Sequence, residues 1–100
     1  MTTLEQLVKS ILAIFTRNAF NGSVTTTTGY VAIVSQPTPA RIVYISNSTG
    51  KTIYVRQNGQ DLYVPDGAIF PFNNISDLNT ISLKTSDDTS GLTVTYRYEL

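Results

Sequence analysis

"IYVRQNGQDLYVPDGAIFPF", residues 53 to 72, carries two turn signals between three short β-prone runs. Asn58-Gly59 separates IYVRQ from QDLYV, and Asn-Gly is the strongest short hairpin signal because both residues tolerate positive φ. Pro65-Asp66-Gly67 turns the chain a second time, the proline fixing φ and the glycine accepting a positive one. Ile69 to Phe72 then resume the sheet. Pro71 inside that run predicts an edge strand, since a proline has no N–H for a second neighbour. An edge flanked by Phe70 and Phe72 is where a neighbouring chain is expected to dock, which makes this stretch a contact surface and not a pocket.

The same rhythm extends in both directions. Strands are expected near residues 30–36, 41–47, 51–57, 61–64, 68–72, 80–85 and 92–99, about seven short runs with turn signals between them. Pro37 and Pro39 mark a loop or a sheet edge, NSTGK joins the second and third strands with Gly50 free to take positive φ, and SDDTSG turns the chain before the last strand. In that last strand Leu92, Val94, Tyr96, Tyr98 and Leu100 point one way while Thr93, Thr95, Arg97 and Glu99 point the other. Ile53, Val55, Leu62, Val64, Ile81 and Leu83 continue this face and complete the expected core. The fold class is mainly β, a single antiparallel β-sandwich, with closure into a barrel left open.

Ahead of the sandwich the period is different. Leu4, Leu7, Val8, Ile11, Leu12 and Phe15 form one face of an amphipathic helix over residues 3 to 17, opened by a capping box at Thr3 and Gln6. The helix either covers an open face of its own domain or docks on a partner chain. It is too short and too charged, at Glu5 and Lys9, to span a membrane, and it lacks the form of a signal peptide. NGSVTTTTG, residues 21 to 29, has no hydrophobic period and is read as an extended linker. The chain thus divides into a helical segment 1–20, a linker 21–29 and a β domain 30–100.

Composition excludes more than it selects. Seven Lys plus Arg balance seven Asp plus Glu, so no net field draws in nucleic acid or an anionic membrane. The chain has neither Cys nor His, which removes disulfides, thiolate and imidazole metal sites, and the commonest general base near neutral pH. Asp61, Asp66, Asp77, Asp87 and Asp88 fall in expected turns, where Asp bonds its local backbone, and no lysine has a serine partner by spacing. No catalytic residue, metal or cofactor is expected. Tyr96 and Tyr98 share the core face. Tyr44 and Tyr54 flank one expected hairpin and form a candidate exposed pair, either a protein interface or a sugar platform. Asn47-Ser48-Thr49 and Asn74-Ile75-Ser76 match glycosylation sequons without a signal peptide to give them meaning.

Residues 41 to 98 carry "ISNSTG", then "YVPDG", then "ISLKTSDD", then "VTYRY". In this pattern the chain resembles small β-sandwich virion proteins of tailed bacteriophages, such as head decoration and other capsid-associated proteins. The resemblance implies a non-enzymatic structural role, made in the host cytoplasm and located in the virion. The implied partner is a major capsid or other virion protein, together with copies of the chain itself, for instance as a trimer. It assigns no function to an individual residue. The alternative is a carbohydrate- or receptor-binding domain of a phage tail fibre or spike, using Tyr44, Tyr54 or Tyr63.

Overall fold

The computed structural model describes residues 19–100, so the expected helix and its face of Leu4, Leu7, Val8, Ile11, Leu12 and Phe15 lie outside the described residues. Among the described residues there are eight strands: β1 Ala19–Thr25, β2 Val31–Ala32, β3 Ile42–Ser46, β4 Ile53–Gln57, β5 Gln60–Val64, β6 Ile69–Phe72, β7 Ser82–Thr85 and β8 Thr93–Glu99. A 3₁₀ turn over Leu78–Thr80 precedes β7. The strands form two antiparallel four-stranded sheets in the orders β1-β8-β3-β6 and β2-β7-β4-β5, neither closed on itself. The mainly β expectation holds, and a barrel is excluded among the described residues.

The pairing has a simple logic. β4 and β5 are joined by the tight turn at Asn58-Gly59, with φ of 52° and 75°, so that Gln57 faces Gln60. Outward from that turn β3 pairs with β6, β2 with β7 and β1 with β8, as in one long ribbon folded at its middle. The ribbon rolls up because β8 also pairs with β3, and β7 with β4. This is the jelly-roll connectivity, in which every connection except the β4–β5 hairpin passes from one sheet to the other.

The core fills the space between the sheets. Val43, Ile45, Phe72 and Val94 enter it from the first sheet, Ile53, Val55, Val64 and Leu83 from the second, and Ile33, Ala40, Leu78 and Ile81 from the connections. Fully burying each large aliphatic side chain contributes about 1.5–3 kcal/mol relative to leaving it in water. Tyr96 and Tyr98 point inward as expected but are half-buried, packed against the rim of this cluster.

Four expectations are corrected. Residues 19–25, divided in the sequence reading between the helical segment and the linker, are β1, paired along its whole length with β8. Its inward positions are Phe20, Gly22 and Val24, and Gly22 hides the alternation: the Tyr96 ring occupies its side-chain space, and a Cβ there would lie 2.4 Å from Tyr96 Cζ. Leu62 faces inward opposite Val55 but remains 44% exposed, because β5 is an edge strand with no further described strand on its flank. Asp61 lies within β5 and not in a turn. Finally, NSTGK closes no hairpin, since β3 and β4 belong to different sheets.

Buried polar side chains hold the corners. Asn47 is buried at the end of β3, and its Nδ2 donates to the carbonyls of Lys51 (2.7 Å) and Val64 (2.8 Å) while its Oδ1 accepts from the Thr49 hydroxyl (2.7 Å). Its backbone accepts from Gly67 N–H and donates to Ala68 O, so one residue ties the β3–β4 and β5–β6 connections together. The Pro65-to-Ala68 turn closes with Gly67 at φ 84° and Ala68 N–H donating to Pro65 O. The Asp66 carboxylate accepts from Gly50 N–H at 2.8 Å. Nearby, buried Thr26 donates its hydroxyl to Thr89 O and accepts from Leu92 N–H, tying β1 to the connection before β8. Among the described residues no buried side-chain polar atom lacks a partner.

Candidate functional site

Two outward surfaces hold the residues that sequence reasoning singled out. The first lies on the outer face of the β2-β7-β4-β5 sheet. The Asn58-Gly59 turn sets a register in which Tyr54 faces Tyr63 and Arg56 faces Asp61, all pointing away from the core because Ile53, Val55 and Val64 point into it. The Tyr54 and Tyr63 rings are 4.8 Å apart and tilted by 40°. Tyr63, on the edge strand, is 66% exposed. Arg56 grips Asp61 with two hydrogen bonds, Nε to Oδ1 at 2.9 Å and Nη2 to Oδ2 at 3.3 Å.

Tyr30 completes this surface from the chain just before β2. The Arg56 guanidinium sits 3.8 Å from its ring centroid, and the Lys84 ammonium 5.8 Å. Burial, together with the neighbouring Asp61 carboxylate, raises the Tyr30 hydroxyl above its ordinary pKa, so it stays protonated and able to donate. The bond from Arg56, with help from the Tyr30 hydroxyl, holds the Asp61 carboxyl below its usual range. Lys84 is paired in turn with Asp88. The result is a row of aromatic rings beside a fixed guanidinium–carboxylate fork, with no net charge left over.

The second surface is on the outer face of the β1-β8-β3-β6 sheet. Register aligns Asn21, Arg97, Tyr44 and Pro71 in one row across the strands, and Thr95, Ser46 and Ile69 in the next. Between these rows lies an open groove of about 470 Å³. It leads to the β6 edge, where Ile69 is 65% exposed. Round that edge, on the inward side, Phe70 is exposed as well, as is Leu62 on β5, the edge strand of the other sheet.

The structure therefore separates the residues that the sequence grouped. Pro71 does mark an edge, since β6 pairs with β3 alone. Phe70 is exposed there, but Phe72 is 2% exposed and belongs to the core, because its register partner Val43 also points inward. Tyr44 and Tyr54 do not pair: they sit on different sheets and face away from each other. Tyr54 pairs instead with Tyr63. Tyr30, Arg56 and Asp61 were not singled out as site residues, although positions equidistant from a two-residue turn face each other and could have matched Arg56 to Asp61. Asn47 of the first sequon is wholly engaged in the corner.

Among the described residues no three His, Cys, Asp or Glu side chains converge as a metal site requires, and no helix there is long and apolar enough to cross a membrane. Stacking on phenol rings and bidentate hydrogen bonding are what the second sheet's face offers, and apolar contact is what the β6 edge offers. No protein-family model matches the chain, and no curated protein is significantly similar to it in sequence.

Proposed function

We propose that the chain is a non-enzymatic structural protein of a virus particle, decorating or stabilising a phage capsid or tail through contacts with another virion protein and with its own copies. The observation that carries this reading is the jelly-roll connectivity, sheets β1-β8-β3-β6 and β2-β7-β4-β5, an architecture shared by viral capsid domains and lectin domains. Fold alone spans many functions, so the surface must agree with it. It does: the chain has no net charge, the β6 edge exposes Ile69 and Phe70, and the β5 edge exposes Leu62, large apolar side chains of the kind that protein interfaces bury.

The β6 edge works through side chains and not by strand addition. Pro71 brings no N–H to a further strand, so an added neighbour would miss a donor in the middle of a four-residue edge. The test is direct. Particles of the virus encoding the chain are banded on a density gradient and digested for mass spectrometry, and peptides of this chain are expected in stoichiometric amounts with the shell or tail proteins. Their absence from banded particles would overturn the proposal.

A further inference from the structure

We propose that the outer face of the β2-β7-β4-β5 sheet binds a neutral carbohydrate, a terminal hexose that stacks on Tyr63 and places its hydroxyls on the Arg56–Asp61 fork. This goes beyond the structural role and stands independently of any particle. Tyr63 and Asp61 are two residues apart on the same face of β5, hence about 7 Å apart along the strand. Across that span a pyranose ring laid with its C–H face on the phenol brings its ring hydroxyls over the fork. The carboxylate accepts from one hydroxyl and the guanidinium donates to its neighbour, the complementary pattern that vicinal diols require.

The fork is held before any ligand arrives. Arg56 is fixed by its two bonds to Asp61 and by the Tyr30 ring beneath it, and Tyr63 is flanked by Tyr54, so little side-chain freedom is lost on binding. Charge selects the class of sugar. Among the described residues both cations of this face are already paired with carboxylates, Arg56 with Asp61 and Lys84 with Asp88, which leaves no described counter-ion for an acidic sugar. The same pairing argues against a protein partner here, because a dry interface would have to desolvate both ion pairs. Sugar hydroxyls replace the water on such groups without stripping them.

The experiment titrates the intact ¹⁵N-labelled chain with methyl galactoside, methyl glucoside, methyl mannoside and N-acetylglucosamine, with sialyllactose as the charged probe. Saturable shifts at the Tyr30, Arg56, Asp61 and Tyr63 amides with at least one neutral sugar support the proposal. Asp61→Asn is expected to weaken that binding at least about tenfold, the loss of a charged hydrogen bond. Tyr63→Ala should abolish it, Tyr63→Phe should retain it, and Tyr44→Ala on the opposite sheet should leave it unchanged. Unaltered amide dispersion away from the face shows that each variant is folded. The proposal is overturned by the absence of saturable shifts with every neutral sugar, by a response to sialyllactose alone, or by binding that survives Tyr63→Ala. It is equally overturned if these amides shift with protein concentration in the absence of sugar, which would make a second copy the occupant.

Discussion

The corner end of the sandwich and its β5–β6 flank solve opposite problems. At the corners, connections 47–52, 65–68 and 86–92 pass between sheets, and polar side chains are buried with their hydrogen bonds satisfied: Asn47, Thr26 and Thr85. Along the flank β5 and β6 are edge strands, and the inward-facing Leu62 and Phe70 remain 44% and 41% exposed. The difference separates stability from recognition. A buried donor or acceptor that loses its partner keeps its full desolvation cost, whereas an exposed apolar side chain can be exchanged with little effect on folding.

The comparison breaks most severely at Asn47. Asn47→Leu strands the carbonyls of Lys51 and Val64 together and is expected to cost about 3–5 kcal/mol, read as a lowered denaturation midpoint. Thr26→Val keeps the shape but removes the acceptor of Leu92 N–H and the donor to Thr89 O. Chemical denaturation should show a loss of about 1–3 kcal/mol.

Acid sharpens the contrast. Asp87, at the corner end, is pushed well below the ordinary carboxylate range by Lys51 at 2.7 Å and then by the Thr89 hydroxyl. A carboxyl whose folded pKa is depressed contributes stability above its unfolded pKa and loses it as pH falls toward the folded one. The wild-type midpoint should therefore fall through the acid range, and Asp87→Asn should flatten that limb while mattering little to its slope near neutrality. The smallest effect on folding belongs to the flank. Leu62→Ser with Phe70→Ser should lower stability by only about 1–2 kcal/mol for the two together, since each side chain is already partly in water. The same pair should reduce incorporation into banded particles, and full incorporation would remove the flank from the proposed interface.

How much of this was legible depended on whether the signal was local. The Asn58-Gly59 hairpin, the Pro65-Asp66-Gly67 corner and the edge position of Pro71 follow from backbone preferences of the residues themselves, and all three are present. β1 was missed because its central inward position is Gly22, a residue fitted to a ring contributed by β8. The crossing of NSTGK between sheets was missed because Gly50 takes positive φ, here 85°, in either kind of turn. Asn47 reads locally as a sequon, and only the tertiary fold brings Val64 O within reach of it. Of the candidate site, Tyr54 was visible as an outward residue. Tyr63 was named as a candidate too, but its pairing with Tyr54 needed the hairpin register, and Tyr30 needed the roll of the whole sheet.

The nested ribbon also sets an order of events in time. The Asn58-Gly59 turn lies at its centre, so β4 and β5 can meet across two residues, while β3–β6, β2–β7 and β1–β8 must each close a longer loop. Loop-closure entropy rises slowly with length, but the topology is dominated by distant pairings, which places folding in the millisecond-to-second range of β-sandwiches. A chain that zips from its middle outward secures β1 last. By the same geometry β1 is an edge strand whose hold on the roll is its seven-residue pairing with β8.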